Sequence, residues 1–556
     1  MQITGVYIKN FKSIKELEFY PKTITALIGE NNSGKSNILT AIDRILGSKY
    51  PMINYFEPDD FYNRDESNKI EISLEFIDEK NTPHDIFFGY KNGTRGENYY
   101  FEIDGYPAND EKRKRYPFLR LTTNRAIADN MPSNRWSLWG KILREINDEL
   151  QQDKVKCEKL KGELKAIKEN YLETASFKKL VEVLQKEAAD QLNKSTSDFK
   201  VDFQMYDPLN YYKSLQILVK DGSLEFQASE MGMGMQSSLT VALLRAYAEI
   251  KTNDSIIAID EPEIFLHPQA QRSFYRIIRH LGKSGTQVFY TTHSNQFVDV
   301  EYFDEIFVVR KEKDSKGQIS SKVSQLEVSQ LIYDLVARYP KVTPDSKSIR
   351  EAYRNICCNS RNEGFFAQKV VLVEGATEEF SIPVYFDALD YNVDRHGISI
   401  INAEGKGNLD RLYRIYNEFK IPTYILMDGD SGKDKDGDSK RLTKEILEML
   451  YLKPPLDYPL TTVADVFAIF EVDYETTVRA EISEYNTLES ETRKLLGKKG
   501  DEGKGMVAKV VAENLIIKGL KEGDPKKYIP RTIQAIHTHI KDMKWHGSVL
   551  RQPAKL

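Results

Sequence analysis

The stretch Lys369–Phe380, KVVLVEGATEEF, runs four apolar residues, Val370 to Val373, into a carboxylate, Glu374, and places a second, Glu378, one helical turn further on. The apolar run reads as a strand buried in a parallel sheet. Gly375 allows the sharp turn that follows. Downstream come a helix, a strand (GISIINAEG, 397–405), a second helix and a third strand (TYILMDGD, 423–430). That is a βαβαβ pattern with a parallel sheet. Its strand ends meet along one edge, where open α/β sheets bind ligands. Glu374, Glu378, Asp428 and Asp430 are therefore expected in one acidic pocket. Asp428 and Asp430 share a side if the strand continues through both. Packed carboxylates repel unless protons or cations neutralise them, and hard oxygen ligands suit Mg²⁺ or Mn²⁺. Such a metal pocket, with no phosphate cradle of its own, points to phosphodiester chemistry.

A phosphate cradle exists elsewhere in the chain. GENNSGKS (29–36) follows the strand TITALIGE (23–30) and fits G-x-x-x-x-G-K-[ST]. Backbone N–H groups from Gly29 through Asn31, Asn32, Ser33 and Gly34 curl around phosphates in such a loop. Lys35 reaches the β/γ oxygens and Ser36 holds Mg²⁺. SIIAIDEPE (255–263) is an apolar strand ending in Asp260, a candidate Mg²⁺ holder, and Glu261, a candidate for polarising the attacking water. TTHS puts His293 at the end of the next strand, and SEMGMGMQSS (229–238) is a glycine-bearing turn before an apolar helix.

The chain has 556 residues, enough for two to four domains, with 40% hydrophobic and 29% charged residues, an ordinary globular balance. At a net charge of −5 any nucleic-acid surface must be local. EKRKRYPFLR (111–120) is one such basic cluster, readable as a DNA-phosphate contact or as a charged loop. Cys157, Cys357 and Cys358 make neither a disulfide framework nor a metal motif, so a reducing, cytoplasmic setting is expected. No run approaches the roughly 18 consecutive apolar residues of a membrane span. Residues 137–194 lack Pro and are rich in Lys, Glu and Leu, with Leu138, Ile142, Ile146 and Leu150, then Leu160, Leu164, Ile167 and Tyr171, at helical spacing. They read as an insertion of long helices, either a hairpin packed on its own domain or a dimerisation arm. Residues 311–325 read as a loop, and DKDGDSKRLTKE (434–445) as a polar loop rather than a calcium site, since it lacks glycine at the sixth position.

The order of P-loop, signature turn, acidic strand and histidine resembles the ABC-type ATPase head of the RecF/SMC class, as does EPEIFLHP (261–268). Met231 stands where that signature has serine before its first glycine, so Gly232, Gly234 and Gln236 carry the resemblance. Asp59 or Asp60 of FEPDDF occupies the region of the missing Q-loop glutamine. The acids after position 369 resemble a Toprim domain, and LVEGATEEF resembles the first Toprim motif of OLD-family (overcoming lysogenization defect) nucleases, which fuse the two parts.

The resemblance implies an α/β chain: an ABC-type ATPase over 1–365, with its helical, dimerising insertion at 137–200, and a Toprim nuclease over 366–556 with a C-terminal helical part. It implies catalytic Glu374, Glu378, Asp428 and Asp430, and a late lysine: Lys504, or its rivals Lys498 and Lys499. A further acid from IFEVDYE contributes to a second metal: Glu471, or Asp473 or Glu475. The expected cofactors are ATP and Mg²⁺ or Mn²⁺. The expected partners are DNA, a second copy (a homodimer or dimer of dimers), and a helicase subunit, as in Gabija systems, or a retron reverse transcriptase. The activity implied is an ATP-dependent or ATP-regulated DNA endonuclease in antiphage defence. The alternatives are a RecF-like repair ATPase with a non-cleaving Toprim domain, a topoisomerase- or primase-like enzyme, and an SMC-type clamp.

Overall fold

KIEISLEFI alternates apolar and polar side chains, and Ile70, Ile72, Leu74 and Phe76 are all buried in an antiparallel strand. The computed structural model describes residues 1–47, 49–52, 56–91, 99–113, 115–124, 138–167, 170–171, 174–192, 195, 215, 217–221, 223–250, 256–433, 437–450, 459–500 and 502–551. The chain divides into two compact units. The larger comprises Ile3–Ile42, Met52–Pro107 and Tyr290–Leu556, and the smaller comprises Met1–Gln2, Asp43–Pro51 and Ala108–Phe289.

The larger unit opens with the hairpin β1 (Gln2–Phe11) and β2 (Ile14–Phe19), then β3 (Ile24–Ile28), a fully buried strand that feeds the glycine loop and α1 (Lys35–Leu46). β4 (Ile70–Ile77), β5 (Pro83–Tyr90) and β6 (Tyr99–Ile103) extend the first sheet in the order β2-β1-β4-β5-β6. β7 (Ile306–Lys313) pairs in parallel with β3 and antiparallel with β8 (Ile319–Ser324). The loop expected over 311–325 is therefore mostly a hairpin. Asp314 accepts from the N–H groups of Lys316 and Gln318 at 2.9 Å each, and Gly317 takes φ 77°. The charged side chains that suggested a loop lie at its exposed end. α2 (Val328–Arg338) follows.

The second sheet begins at β9 (Lys369–Val373), with Val370 to Val373 buried. α3 (Ala376–Ala388), β10 (Ile398–Asn402), α4 (Lys406–Glu418), β11 (Thr423–Asp428), α5 (Asp438–Met449), β12 (Thr462–Val463) and β13 (Phe467–Phe470) complete the order β10-β9-β11-β13-β12. Only β12 pairs antiparallel. The expected βαβαβ arrangement holds. The expected polar loop over 434–445 does not: residues 434–436 lie outside the described set, and from Asp438 the segment is the helix α5. Its apolar positions Ile446, Leu447 and Met449 are buried, and this stripe extends past the charged stretch. α6 (Tyr474–Glu481), α7 (Tyr485–Leu496), α8 (Lys504–Glu522) and α9 (Arg531–Asp542) finish the unit. Val371, Tyr385, Tyr424, Leu426, Val511 and Ile536 pack one core against the sheet.

In the smaller unit, Ile256–Asp260 is buried throughout and pairs in parallel with Phe118–Leu121. Helices at Leu138–Gln152, Lys154–Ile167 and Ala175–Leu192 fill the described part of the insertion. The basic cluster turns partly inward. Arg113 is buried and donates to the carbonyls of Ile45 and Gly47, while Arg120 donates to Asp260.

One buried carboxylate ties α2, α4 and the C-terminal segment together. Asp334 accepts from Arg338 Nε at 2.9 Å, Arg414 Nη1 at 3.1 Å and the Arg551 amide at 3.1 Å. Removing one member of a buried ionic network strands the others. Asp334→Ala should therefore destabilise the chain by ~3 kcal/mol or more, seen as a lower midpoint in urea unfolding. An unchanged midpoint would show the network to be dispensable.

Candidate active site

Glu374 follows directly on β9, and its Oε2 accepts the Asp428 N–H at 3.1 Å. Asp428, the last residue of β11, is half-buried, and its Oδ1 accepts the Tyr474 N–H at 3.0 Å. Glu378, in the first turn of α3, is only 3% exposed. Glu475, on α6, accepts from Thr377 Oγ1 at 2.8 Å. Asp473 caps α6 through the Thr476 N–H and pairs with Lys433. Parallel pairing of β9 with β11 and of β11 with β13 brings these strand ends to one edge.

Crowding there governs acidity. Burial, then the charges of Glu374 and Glu475, push Asp428 up to about 8. Burial, then Asp428, Glu475 and Glu374, hold Glu378 well above the usual carboxylate range. Burial also raises Glu374, against the pull of Lys406 and the Asp428 N–H. Asp473 goes the other way: Lys433 and Thr476 outweigh its burial.

Asp430 is turned aside. β11 ends at Asp428, and the Gly429 N–H donates to Phe470 O at 2.5 Å. Asp430 then takes φ 55°, so strand alternation does not set its direction. Its Oδ2 accepts from Lys406 Nζ at 2.7 Å and from Ser439. Lys406, 5% exposed, opens α4 after Gly405 at φ 115° and also donates to Ser439 at 2.5 Å. Sequence reasoning assigns it nothing, although a lysine flanked by Gly405 and Gly407 directly after a strand end was the available signal. Glu471 is exposed. Its carbonyl accepts the Ser431 N–H at 3.0 Å, while the IFEVDYE carboxylates that face the pocket belong to Asp473 and Glu475.

Lys504 starts α8 and lines a cavity of about 220 Å³ together with Lys433, Asp473 and Glu475. Gly505 permits this approach, since a Cβ there would lie 2.6 Å from the Phe380 ring and 2.8 Å from Ala376 O. Lys498 pairs instead with Glu502 at 2.7 Å, and Lys499 is exposed. Among the described residues no three acidic, His or Cys groups already stand as a metal cluster. The donor set nevertheless fits a hard divalent ion. It is all oxygen, and its acids are pushed toward protonation, so a cation can replace the protons.

In the glycine loop, Gly29 takes φ 142° and Gly34 φ 110°, and a Cβ at Gly29 would lie 2.1 Å from Val309 O. Lys35 folds back on the loop, donating to Gly29 O at 2.9 Å and Glu30 O at 2.8 Å. Asn32 adopts φ 62°, Ser33 Oγ is buried with no hydrogen-bond partner among the described residues, Asn31 is exposed, and Ser36 sits in the first turn of α1. Asp60 pairs with Lys12 and Asp59 with Arg64, both at 2.8 Å. His293 is exposed just past the strand Gln287–Thr292.

In the smaller unit Asp260 accepts from Arg120 Nε at 2.8 Å, and Glu261 takes φ 46°, a strained setting for a non-glycine residue. Gly232 and Gly234 open the helix Met233–Ile250. Gln236 closes their turn by donating to Met231 O at 2.6 Å.

Two family models match the chain: an AAA domain described as putative AbiEii toxin, Type IV TA system, over residues 24–299, and an overcoming lysogenization defect protein-like TOPRIM domain over residues 365–430. The chain thus joins an AAA ATPase domain to an OLD-like TOPRIM domain, as its similarity to OLD nucleases over most of its length also indicates. It is 28% identical over 450 residues to an OLD nuclease of Thermus scotoductus, covering 76% of this chain and 81% of that one. It is 27% identical over 485 residues to the Old nuclease of Escherichia phage P2, covering 77% of each. Identity to the endonuclease GajA of Bacillus cereus is 21% over 526 residues, covering 78% of this chain and 74% of that one. Among the described residues no helix is long and apolar enough to cross a membrane.

The raised carboxyl groups set a pH dependence in this chain. Asp428 rises from 3.8 to about 8 on folding, so between those values the folded chain holds more protons than the unfolded one. Its contribution to stability is present below the lower value and is lost as pH rises through about 8. In EDTA the melting temperature should fall across this window. Asp428→Asn should flatten the fall, and so should Mg²⁺ in the wild type. Differential scanning fluorimetry checks this, and identical slopes in wild type and variant would refute it.

Proposed function

We propose that the chain is an ATP-linked, divalent-metal-dependent DNA endonuclease of the OLD family. One observation carries this reading: Glu374, Glu378 and Asp428 meet at the edge of the second sheet, all three held toward protonation by burial, and Glu378 and Asp428 also by neighbouring carboxylates. Glu374, Glu378, Asp428 and Asp430, joined by Glu475 or Asp473, would hold Mg²⁺ or Mn²⁺. Such an ion supplies Lewis acidity and a deprotonated water at neutral pH. The Asp428 and Tyr474 amides fix the carboxylates that donate to it. Lys504 brings positive charge to the rim, where a phosphodiester would develop negative charge. Lys406 holds Asp430 in place.

At the glycine loop, the Lys35 ammonium exchanges two loop carbonyls for nucleotide phosphates, with Ser36 toward the bound Mg²⁺. Asp260 and Glu261 take the acidic roles of this ATPase class, His293 that of the phosphate sensor, and Gly232 and Gly234 that of the signature turn. A second copy completes sites of this class. On the insertion, Leu180, Val183, Leu184 and Tyr171 are exposed and offer an apolar face to it. The resemblance to Gabija-type and retron-associated relatives supports a role in antiphage defence, and a helicase subunit or a retron reverse transcriptase is the partner we propose.

Purified chain should cut plasmid with Mg²⁺ or Mn²⁺ and not with EDTA. Glu374→Ala and Asp428→Ala should each lose at least about 100-fold in rate, roughly 2.7 kcal/mol of barrier. Wild-type ATP turnover without any DNA cutting would favour the non-cleaving repair ATPase instead.

Lys35→Ala should abolish ATP turnover, while Glu261→Gln should bind ATP yet hydrolyse it poorly. Unchanged steady-state turnover in both would sink the ATPase assignment. Light scattering should give a dimer or tetramer, and a monomer with and without a non-hydrolysable ATP analogue would defeat the assembly.

A further inference from the structure

Beside the acidic pocket, two arginines converge on one carboxylate. Arg479, on α6, meets Glu489, on α7, through Nε at 3.1 Å and Nη2 at 3.0 Å. Arg493 meets the same carboxylate through Nε at 3.1 Å and Nη2 at 2.9 Å, while its Nη1 donates to Gly500 O at 2.6 Å. Glu489 is 13% exposed, whereas the Arg479 and Arg493 side chains are 36% and 21% exposed. All three line the same 220 Å³ cavity as Glu475 and Lys504. Among the described residues, four cations there, Lys433, Arg479, Arg493 and Lys504, face three carboxylates, Asp473, Glu475 and Glu489.

The charges are sorted along the cavity. Asp473 and Glu475 act on Asp428. Arg479 stands four residues after Glu475 on α6, one turn away, at a Cβ spacing of about 5–6 Å. Two guanidinium groups sharing one carboxylate leave a positive charge at the far end. Glu489 fixes their planes, so they lose little freedom on meeting an anion, and a fixed guanidinium fork matches the oxygens of a phosphate.

We propose that Arg479 and Arg493, held by Glu489, form a clamp for a backbone phosphate of the DNA strand, next to the one cut at Asp428. This inference rests on the nuclease reading above and names its substrate contact. The arginines are positioning residues: they fix the strand and do not touch the reacting atoms. A purely structural brace between α6 and α7 would use the same ion pairs, so the test must read DNA binding and not only stability.

In the full chain carrying Asp428→Asn to stop cutting, affinity for a short fluorescein-labelled DNA duplex is measured by anisotropy against salt concentration. Adding Arg479→Ala and Arg493→Ala should weaken binding about tenfold at low salt and lower the slope of log K against log salt by about one, the loss expected for one phosphate contact. With Asp428 restored, the double variant should show a raised KM and a kcat within a few-fold of wild type. Unchanged affinity and salt slope overturn the clamp, as does a kcat loss with KM unchanged. Should the double alanine variant fail to fold, Arg479→Gln and Arg493→Gln keep an amide donor for Glu489, remove the charge, and carry the same criteria. The two readings fail separately. Wild-type chain that does not cut with metal removes the nuclease assignment, whereas cutting that survives with unchanged DNA affinity in the arginine variants removes only the clamp.

Discussion

Crowding of carboxyl groups at the edge of the second sheet is the constraint around which the larger unit is arranged. Glu374, Glu378 and Asp428 are withdrawn from water and face one another, which disfavours their ionised forms. The surroundings offset only part of that cost. The Asp428 and Tyr474 amides each donate to one carboxylate, Lys406 answers Asp430, and Lys433 answers Asp473. Glu378 and Asp428 stay pushed toward protonation. A cluster left this short of positive charge is poor architecture for stability alone and good architecture for a site that takes up cations.

Packing keeps that arrangement from relaxing. The strands carrying Glu374 and Asp428 are apolar and buried, so their ends cannot separate without opening the core of Val371, Tyr424 and Leu426. Gly429 lies where any side chain would strike the Glu471 carbonyl at 2.5 Å, so the turn after β11 is fixed by β13. Gly505 does the same for α8, which it lets approach α3 and so carry Lys504 to the cavity. Small residues at two close approaches thus set the reach of the charged ones.

Much of this was legible in the sequence where a single local pattern sufficed. Continuous apolar runs marked β3, β9 and β11, because a buried parallel strand needs apolar side chains on both faces. The glycine loop was legible because its spacing follows from backbone curvature around phosphates. The misses needed tertiary information. Strand alternation groups Asp430 with Asp428, yet the strand ends at Asp428, two residues short, and Lys406 holds the Asp430 carboxylate. Among Glu471, Asp473 and Glu475, only the start of α6 determines which acid of IFEVDYE faces inward. The β7–β8 hairpin and α5 were masked by charged residues on their exposed parts, where composition reports solvent contact rather than secondary structure.

The chain therefore meets phosphate in two opposite ways. At the glycine loop the protein supplies the positive field itself, from backbone N–H groups and Lys35, so a nucleotide is attracted without an intermediary. At the sheet edge the protein supplies negative charge, which repels a phosphodiester until cations intervene. Binding there would then depend on cations from solution and on fixed ones of the chain: Lys433 on Asp473, with Lys504 and the arginines on Glu489 further along the cavity. In the proposed reading these cations would hold the strand, while Glu374, Glu378 and Asp428 are left to the ion. Lys406 is closer still to the expected ligands. Its ammonium sits on Asp430 itself, so of the four expected acids this one meets an incoming ion with a cation already in contact.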